Sequence, residues 1–267
     1  MTSVIAPAGE VAGIEPGGAG RAGTRSRGRL LVRYATTPVV LAVVLLLLYL
    51  YVASHTLDSV EKRSLNTGYI GRSLLKHIEM TAVTTVLVIV IAVPLGILLT
   101  RSSTRRLAPI VVPIANIGQA VPSIGVLVLF AVTWKIGTEA AVIAFVIYAI
   151  LPVLRNTMVG LQQVNVAVIE AARGMGMSRR GVLGRIELPL AVPVILAGVR
   201  TALVIAVGTV ALATFVNAGG LGDIINNGTT NARPIVTLTG SVLTGVLALL
   251  VDWLAGIAED VLRPRGL

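Results

Sequence analysis

Uncharged runs of bilayer-crossing length alternate along this chain with short charged stretches, and the run lengths set the architecture. Residues 34–57 contain no Asp, Glu, Lys or Arg, and about 20 consecutive apolar residues suffice to cross a hydrocarbon core, so this run predicts a first membrane helix. Residues 80–100 predict a second, with Pro94 as a kink whose freed carbonyl neighbouring helices can satisfy. Residues 107–134 are uncharged too, but Pro109, Pro113, Gly118, Pro122 and Gly125 interrupt them. As one straight helix they would be roughly 42 Å long against a core of about 30 Å, and two full crossings would not fit. One crossing broken near Pro122 fits, with Asn116, Gln119 and Ser123 clustered at the break. Residues 140–154, extended back towards Ile136 with Glu139 at the outer edge, predict helix four. Residues 192–216 predict helix five, with Arg200 towards its cytoplasmic end, and residues 234–256 predict helix six.

The segments between these runs differ in kind. Residues 58–79 carry mixed charge and a helical stripe, Ile70, Leu74, Leu75 and Ile78, which predicts an amphipathic piece lying on the membrane surface. Residues 217–233 are rich in Gly and Asn and read as a loop. Residues 165–189 form the longest polar interruption of the apolar pattern. Asn165 can cap a helix that Gly174 and Gly176 stop, and Ser178 can cap a second that ends at Pro189, giving a bent pair of short helices. Ala171 and Ala172 let another backbone approach closely, and Glu170 beside them offers a carboxylate. The plainer reading of these residues is an alanine-rich surface helix.

Charge then orients the chain. In a six-helix arrangement Arg21, Arg25, Arg27, Arg29, Arg33, Arg101, Arg105, Arg106, Arg155, Arg173, Arg179, Arg180, Arg185, Arg200, Arg263 and Arg265 fall on one side, sixteen of the 22 basic residues, and the other six fall opposite. The positive-inside rule places both termini and residues 165–189 in the cytoplasm, as expected for a multi-pass protein of the cell membrane. Residues 1–33, basic and rich in Gly, Ala, Pro and Arg, read as a disordered cytoplasmic tail. Trp134 and Trp253 fall near opposite interfaces.

Composition excludes several functions. With 55% hydrophobic residues, 13% charged residues and a mean hydropathy of +0.90, the chain is too apolar for a soluble domain. The net charge of +10 is spread between apolar runs rather than gathered on a face with aromatics, so no nucleic-acid partner is implied. There is no cysteine, and His55 and His77 are too few and too distant for a metal site; each reads as a polar residue near the outer membrane surface. No phosphate-loop glycine pattern occurs, the Gly174–Gly176 pair lacks the third glycine of a dinucleotide fingerprint, and no catalytic set stands out. The expectation is a non-enzyme without a cofactor or metal of its own.

The spacing of Glu170, Ala171, Ala172, Gly176, Ile186, Leu188 and Pro189 resembles the EAA signature of the permease subunits of bacterial ABC importers. His77 to Thr81 with Pro94 to Ile97, Gln119 to Ser123, and Ala218 to Asp223 look like the glycine betaine/carnitine/choline branch, which carries osmoprotectants. The resemblance covers roughly the last 190 residues. It implies an all-α membrane protein of type I, MetI-like permease fold: a core domain over residues 70–262, preceded by an additional helix at 34–57. It implies that residues 165–189 are cytoplasmic coupling helices seated on a separate ATPase that binds the ATP. The other implied partners are an extracellular or lipid-anchored binding protein, a second permease subunit, identical or paralogous, and membrane lipids.

Within that frame Asn116, Gln119, Pro122 and Ser123 are candidates for the solute path, or else the polar side chains satisfy backbone groups that Pro122 frees. Gly219, Gly220, Gly222 and Asp223 are candidates for an outer gate or docking surface, or else a tight turn needing glycine. Gly198, Gly208, Gly240 and Gly245 fit close helix packing. The alternatives are an importer of amino acids such as methionine and an ion-coupled secondary transporter. The second predicts buried charges mid-membrane, of which Arg200 is the one candidate.

Overall fold

The computed structural model describes the backbone of residues 22–262 and the side chains of residues 34–262. Residues 1–21, most of the expected tail, and Arg263 and Arg265 lie outside the described residues. Residues 22–33 are helical rather than part of a disordered tail. They belong to α1 (Ala22–Ala53), which packs along the last helix of the chain and turns Val39, Leu46, Leu47 and Leu50 outward. After a short α2 (Ser59–Ser64), started by a capping box between Asp58 and Glu61, comes α3 (Thr67–Thr100), capped by Asn66.

The start of α3 corrects the amphipathic surface helix. Residues 67–79 are the first turns of one long helix that passes Pro94 without interruption. Ile70 and Leu74 pack inward, whereas Leu75 and Ile78 are exposed, and the buried face is Ser73, His77, Thr81, Thr84, Thr85, Val88 and Ala92. That inversion has a physical cause. Lipid is as apolar as leucine, so membrane helices approach through small and polar residues and turn their large apolar ones outward.

A single 3₁₀ turn (Arg105–Leu107) leads into α4 (Ala108–Ala120) and α5 (Ser123–Thr133), which meet at 93° around Val121 and Pro122. The pair climbs α6 (Thr138–Gln162) in order: Ala108, Val111 and Ala115 pack with Val146, Ala149 and Val153, and Leu127 packs with Ala141 and Phe145. It therefore packs along α6 on both sides of its bend. The limits expected for the fourth membrane helix, residues 140–154, also move: α6 runs two turns beyond residue 154, carrying Arg155 and Asn156.

α7 (Val166–Gly174) and α8 (Arg179–Val182) follow, then a π-helical turn (Leu183–Glu187) and α9 (Leu188–Val210). Here the expectation that a helix ends at Pro189 fails. The helical path is continuous over Arg179–Val216, closing in a 3₁₀ segment, Ala211–Val216. A proline lacks the N–H that would bond four residues back, and the wider π turn absorbs that gap, the Leu188 N–H donating five residues back to the Leu183 carbonyl. Pro189 thus stands in the first turn of α9, where a missing N–H costs little.

The loop expected at 217–233 contains a further helix, α10 (Gly222–Thr230), before α11 (Pro234–Leu262). Helices α3, α6 and α9 form the centre. Gly198 lets α9 meet α6 so closely that an added Cβ would lie 2.8 Å from the Pro152 carbonyl oxygen, and Gly240 is pressed likewise against Ile225. A Cβ added at Gly208 or Gly245 would meet nothing within 4 Å, so within the chain two of the four glycines, Gly198 and Gly240, serve close packing. Among the described residues, five helices are long and apolar enough to cross a membrane, and the bent pair makes a sixth if it is one crossing.

Candidate functional site

Residues 165–189 project from one end of the bundle. The Asn165 side chain accepts the Ala167 N–H at 2.9 Å and starts α7, whose amphipathic face buries Ala172 and leaves Ala171 and Glu170 exposed. The helix stops in a Schellman arrangement: the Gly176 N–H donates to the Arg173 carbonyl and the Met177 N–H to the Ala172 carbonyl. That geometry requires the left-handed backbone of Gly176, at φ +84°. Ser178 then accepts the Gly181 N–H at 3.2 Å and opens α8. The pattern thereby divides by role: Ala172 and Gly176 shape the segment, while Glu170 and Ala171 face outward beside Val166, Val168 and Met175. Ile186 and Leu188 are half-buried at the root, and Leu188 packs with Leu161, Ala191 and Ile195.

One residue at that root did not stand out in the sequence. Glu187, 4% exposed, accepts a hydrogen bond from Arg101 Nη2 at 2.5 Å, just past the end of α3. Its signal is faint: a lone carboxylate between Ile186 and Leu188 where the apolar run resumes.

At the α4–α5 break, Gln119 and Ser123 are half-buried and Asn116 is exposed. On either side of the break the backbone bonds locally, the Pro122 carbonyl accepting the Gly125 N–H at 2.8 Å and the Ile117 carbonyl the Val121 N–H at 3.1 Å. Asn116 Oδ1 instead accepts from Arg155 at 3.4 Å. Among the described residues, Asn116 is thus bonded to a side chain of α6 and not to the backbone of the break.

At the opposite end, Gly219 (φ +86°) and Gly220 (φ +103°) turn the chain into α10, and Gly222 is pressed so tightly on the 3₁₀ segment that a Cβ would lie 1.9 Å from the Ala211 carbonyl oxygen. Asp223 stands half-buried in the first turn of α10. His77 is fully buried against this turn. Its Nδ1 accepts the Leu221 N–H at 3.2 Å, so the ring proton sits on Nε2, which donates to the Val207 carbonyl at 2.9 Å. The signal available in sequence was the run of small polar residues, Ser73, Thr81, Thr84 and Thr85, at helical spacing around it. Arg200 donates to Asp252 through Nε and Nη2, both at 2.6 Å, and lies 3.7 Å from Glu259, so the one candidate for a lone mid-membrane charge is paired across α9 and α11.

Residues 92–264 match the family described as binding-protein-dependent transport system inner membrane component. The chain belongs to that family. Its members' architecture is visible in solved structures: the methionine ABC transporter MetNI, in inward-facing conformations, matches with a TM-score of 0.65 at 26% identity, over 74% of this chain and 98% of that one. The permease fold is accordingly that of a type I ABC importer, and the chain is a multi-pass membrane protein and a transport component. The carnitine transport permease protein OpuCD of Listeria monocytogenes is 42% identical over 201 residues, 74% of this chain and 89% of that protein. The glycine betaine/carnitine/choline transport system permease protein OpuCD of Bacillus subtilis is 38% identical over 75% of this chain and 87% of its own length. The osmoprotectant import permease protein OsmW of Salmonella typhimurium is 34% identical over its full length and 79% of this chain.

Proposed function

We propose that this permease forms the membrane path of an ATP-driven importer for quaternary ammonium osmoprotectants such as glycine betaine, carnitine and choline. The observation that carries the substrate class is the near full-length similarity to permeases named for those solutes, at 34–42% identity, against 26% for the methionine system. The alternative of an amino-acid importer is correspondingly weaker. An ion-coupled mechanism loses its support with the pairing of Arg200.

The working assembly contains two permease subunits, two ATPase subunits that bind and hydrolyse the ATP, and an extracellular binding protein. Both permease termini and residues 165–189 lie in the cytoplasm, in keeping with the distribution of Arg and Lys. Glu170 and Ala171, exposed on α7, meet the ATPase surface, while Ala172 and Gly176 hold the shape that presents them. Closure of the ATPase pair moves this lever and the bundle alternates its opening. The solute passes the α4–α5 break, where Asn116, Gln119 and Ser123 supply amide and hydroxyl groups beside Pro122. The Gly219 to Asp223 turn closes the outer end.

Replacing Ala171 with Trp tests the lever. Because Ala171 is exposed, the chain inserts and unfolds as wild type, within about 0.5 kcal/mol, but the ATPase no longer co-purifies and uptake is lost. Wild-type co-purification with normal uptake refutes the role. Competition among radiolabelled betaine, carnitine, choline and methionine in reconstituted vesicles tests the substrate class.

A further inference from the structure

Two helices that pack along each other through the centre of this molecule are also bonded through side chains at both of their ends. The unbroken helical path Arg179–Val216 and α3 run antiparallel along the bundle. At one end Arg101, the C-cap of α3, is paired with Glu187 at 2.5 Å; at the other, His77 donates to the Val207 carbonyl at 2.9 Å. The apolar packing between them is non-directional, whereas two oriented bonds at a separation of roughly 30 Å, given about 1.5 Å of rise per residue, fix their relative direction.

We propose that the Arg101–Glu187 pair is a tether that makes α3 move as one body with residues 165–189, so that the lever drives three core helices and not two. This rests on the lever role argued above. The lever is already continuous with α6, through Gln163 and Val164, and with α9, through the π turn. It has no direct chain connection to α3, whose last residue, Thr100, stands 66 positions before Val166. Among the described residues, the Arg101–Glu187 pair is the one side-chain ion pair between α3 or its cap and the path that follows the lever.

The chemistry of the pair argues for direction rather than bulk stability. Glu187 is almost wholly buried and Arg101 about one-third exposed, and taking charges out of water offsets most of what their attraction returns, so an apolar pair of similar volume would hold the helices together equally well. What the ion pair adds is a short, oriented bond. Its carboxylate, Glu187, is the last residue of the π turn, an irregularity found mostly at functional positions, two residues before Pro189. Arg101 Nη2 also reaches the Thr100 hydroxyl at 3.4 Å, and its Nε reaches the Ile97 carbonyl at 3.4 Å, so the guanidinium is held against the last turn of α3 while it grips Glu187. Both are positioning residues.

The test uses the complete importer, with ATPase and binding protein, in proteoliposomes, and measures solute taken up per ATP hydrolysed. The variants are R101M/E187M, which keeps the packing without the oriented bond, and the charge swap R101E/E187R. In R101M/E187M the ATPase still co-purifies and hydrolysis stays within about twofold, while uptake per ATP falls about tenfold, the size of a typical coupling between sites; the swap recovers at least half of the loss. A wild-type ratio in R101M/E187M, or a swap as uncoupled as R101M/E187M, overturns the tether. Failure of the lever itself is distinguishable, because it would appear in Ala171→Trp as retained ATPase and normal uptake.

Discussion

The two ends of the bundle both rely on glycine at positive φ, but they use it against opposite surroundings. Gly176 ends α7 at φ +84° with no atom within 4 Å of where a Cβ would stand, so its neighbours are solvent or a partner. Gly220 and Gly222 at the other end are buried, the first against His77 and Met80, the second on the Ala211 carbonyl. One end is shaped by its own backbone and left open; the other is locked by contact. A segment that must be grasped by a second protein needs its form without its surface being spent on its own fold, and α7 has that character.

Substitutions can break this contrast. The largest effect belongs to Gly222→Ala, whose Cβ would meet the Ala211 oxygen at 1.9 Å; backbone must shift, at a cost of about 3 kcal/mol or more. Gly176→Ala meets nothing and carries only the left-handed penalty of about 1–2 kcal/mol. Thermal unfolding of the detergent-solubilised protein checks the order, and equal midpoints would remove the distinction between the two ends.

His77→Leu comes next. It leaves the Leu221 N–H and the Val207 carbonyl unpaired in a buried site, each worth about 1–3 kcal/mol. Hydrogen exchange at the Leu221 amide should speed up, while exchange through residues 166–174 stays as in wild type.

The smallest effect concerns Asp58 in the cap of α2. The Glu61 N–H, and after it the Arg233 guanidinium at 2.6 Å, hold this carboxyl below its usual value of 3.8. A carboxylate whose folded value is depressed adds stability that is present above the unfolded value and lost as pH falls through the folded one. Asp58→Asn should therefore lower the unfolding midpoint slightly at neutral pH, and the difference from wild type should begin to shrink as pH drops below about 4 and vanish once pH lies below the depressed folded value. The Asp58 side chain is about 41% exposed, so solvent screens its pairing with Arg233.

The uncharged runs were legible because bilayer thickness fixes their length, and so was the break at Pro122, where a 28-residue run had no straight solution. The caps at Asn165 and Ser178 were legible because each supplies an acceptor to a free N–H two or three residues on. What could not be read depends on tertiary context. The polar face of α3 reads as a surface only if burial is assumed to be apolar, and Ser73, His77 and Thr81 are buried because membrane helices pack through such residues. Pro189 reads as a stop until a π turn is available to accommodate it. α10 hides in a Gly- and Asn-rich stretch whose helix is held by packing of Ile224 with Val207, Leu221 and Val236. Within the EAA pattern, nothing in the letters distinguishes buried Ala172 from exposed Ala171.

The 38 residues of Arg179–Val216 have a mechanical consequence. At about 1.5 Å per residue they make a beam of roughly 57 Å, and tilting such a beam about its midpoint carries its tips in opposite senses by about 0.5 Å per degree. Ser178 and Asn217 flank those tips. A nudge of a few degrees on the arginine-rich side is thus returned, reversed in sign, beneath the glycine turn, and a seesaw of this kind needs no intermediate relay.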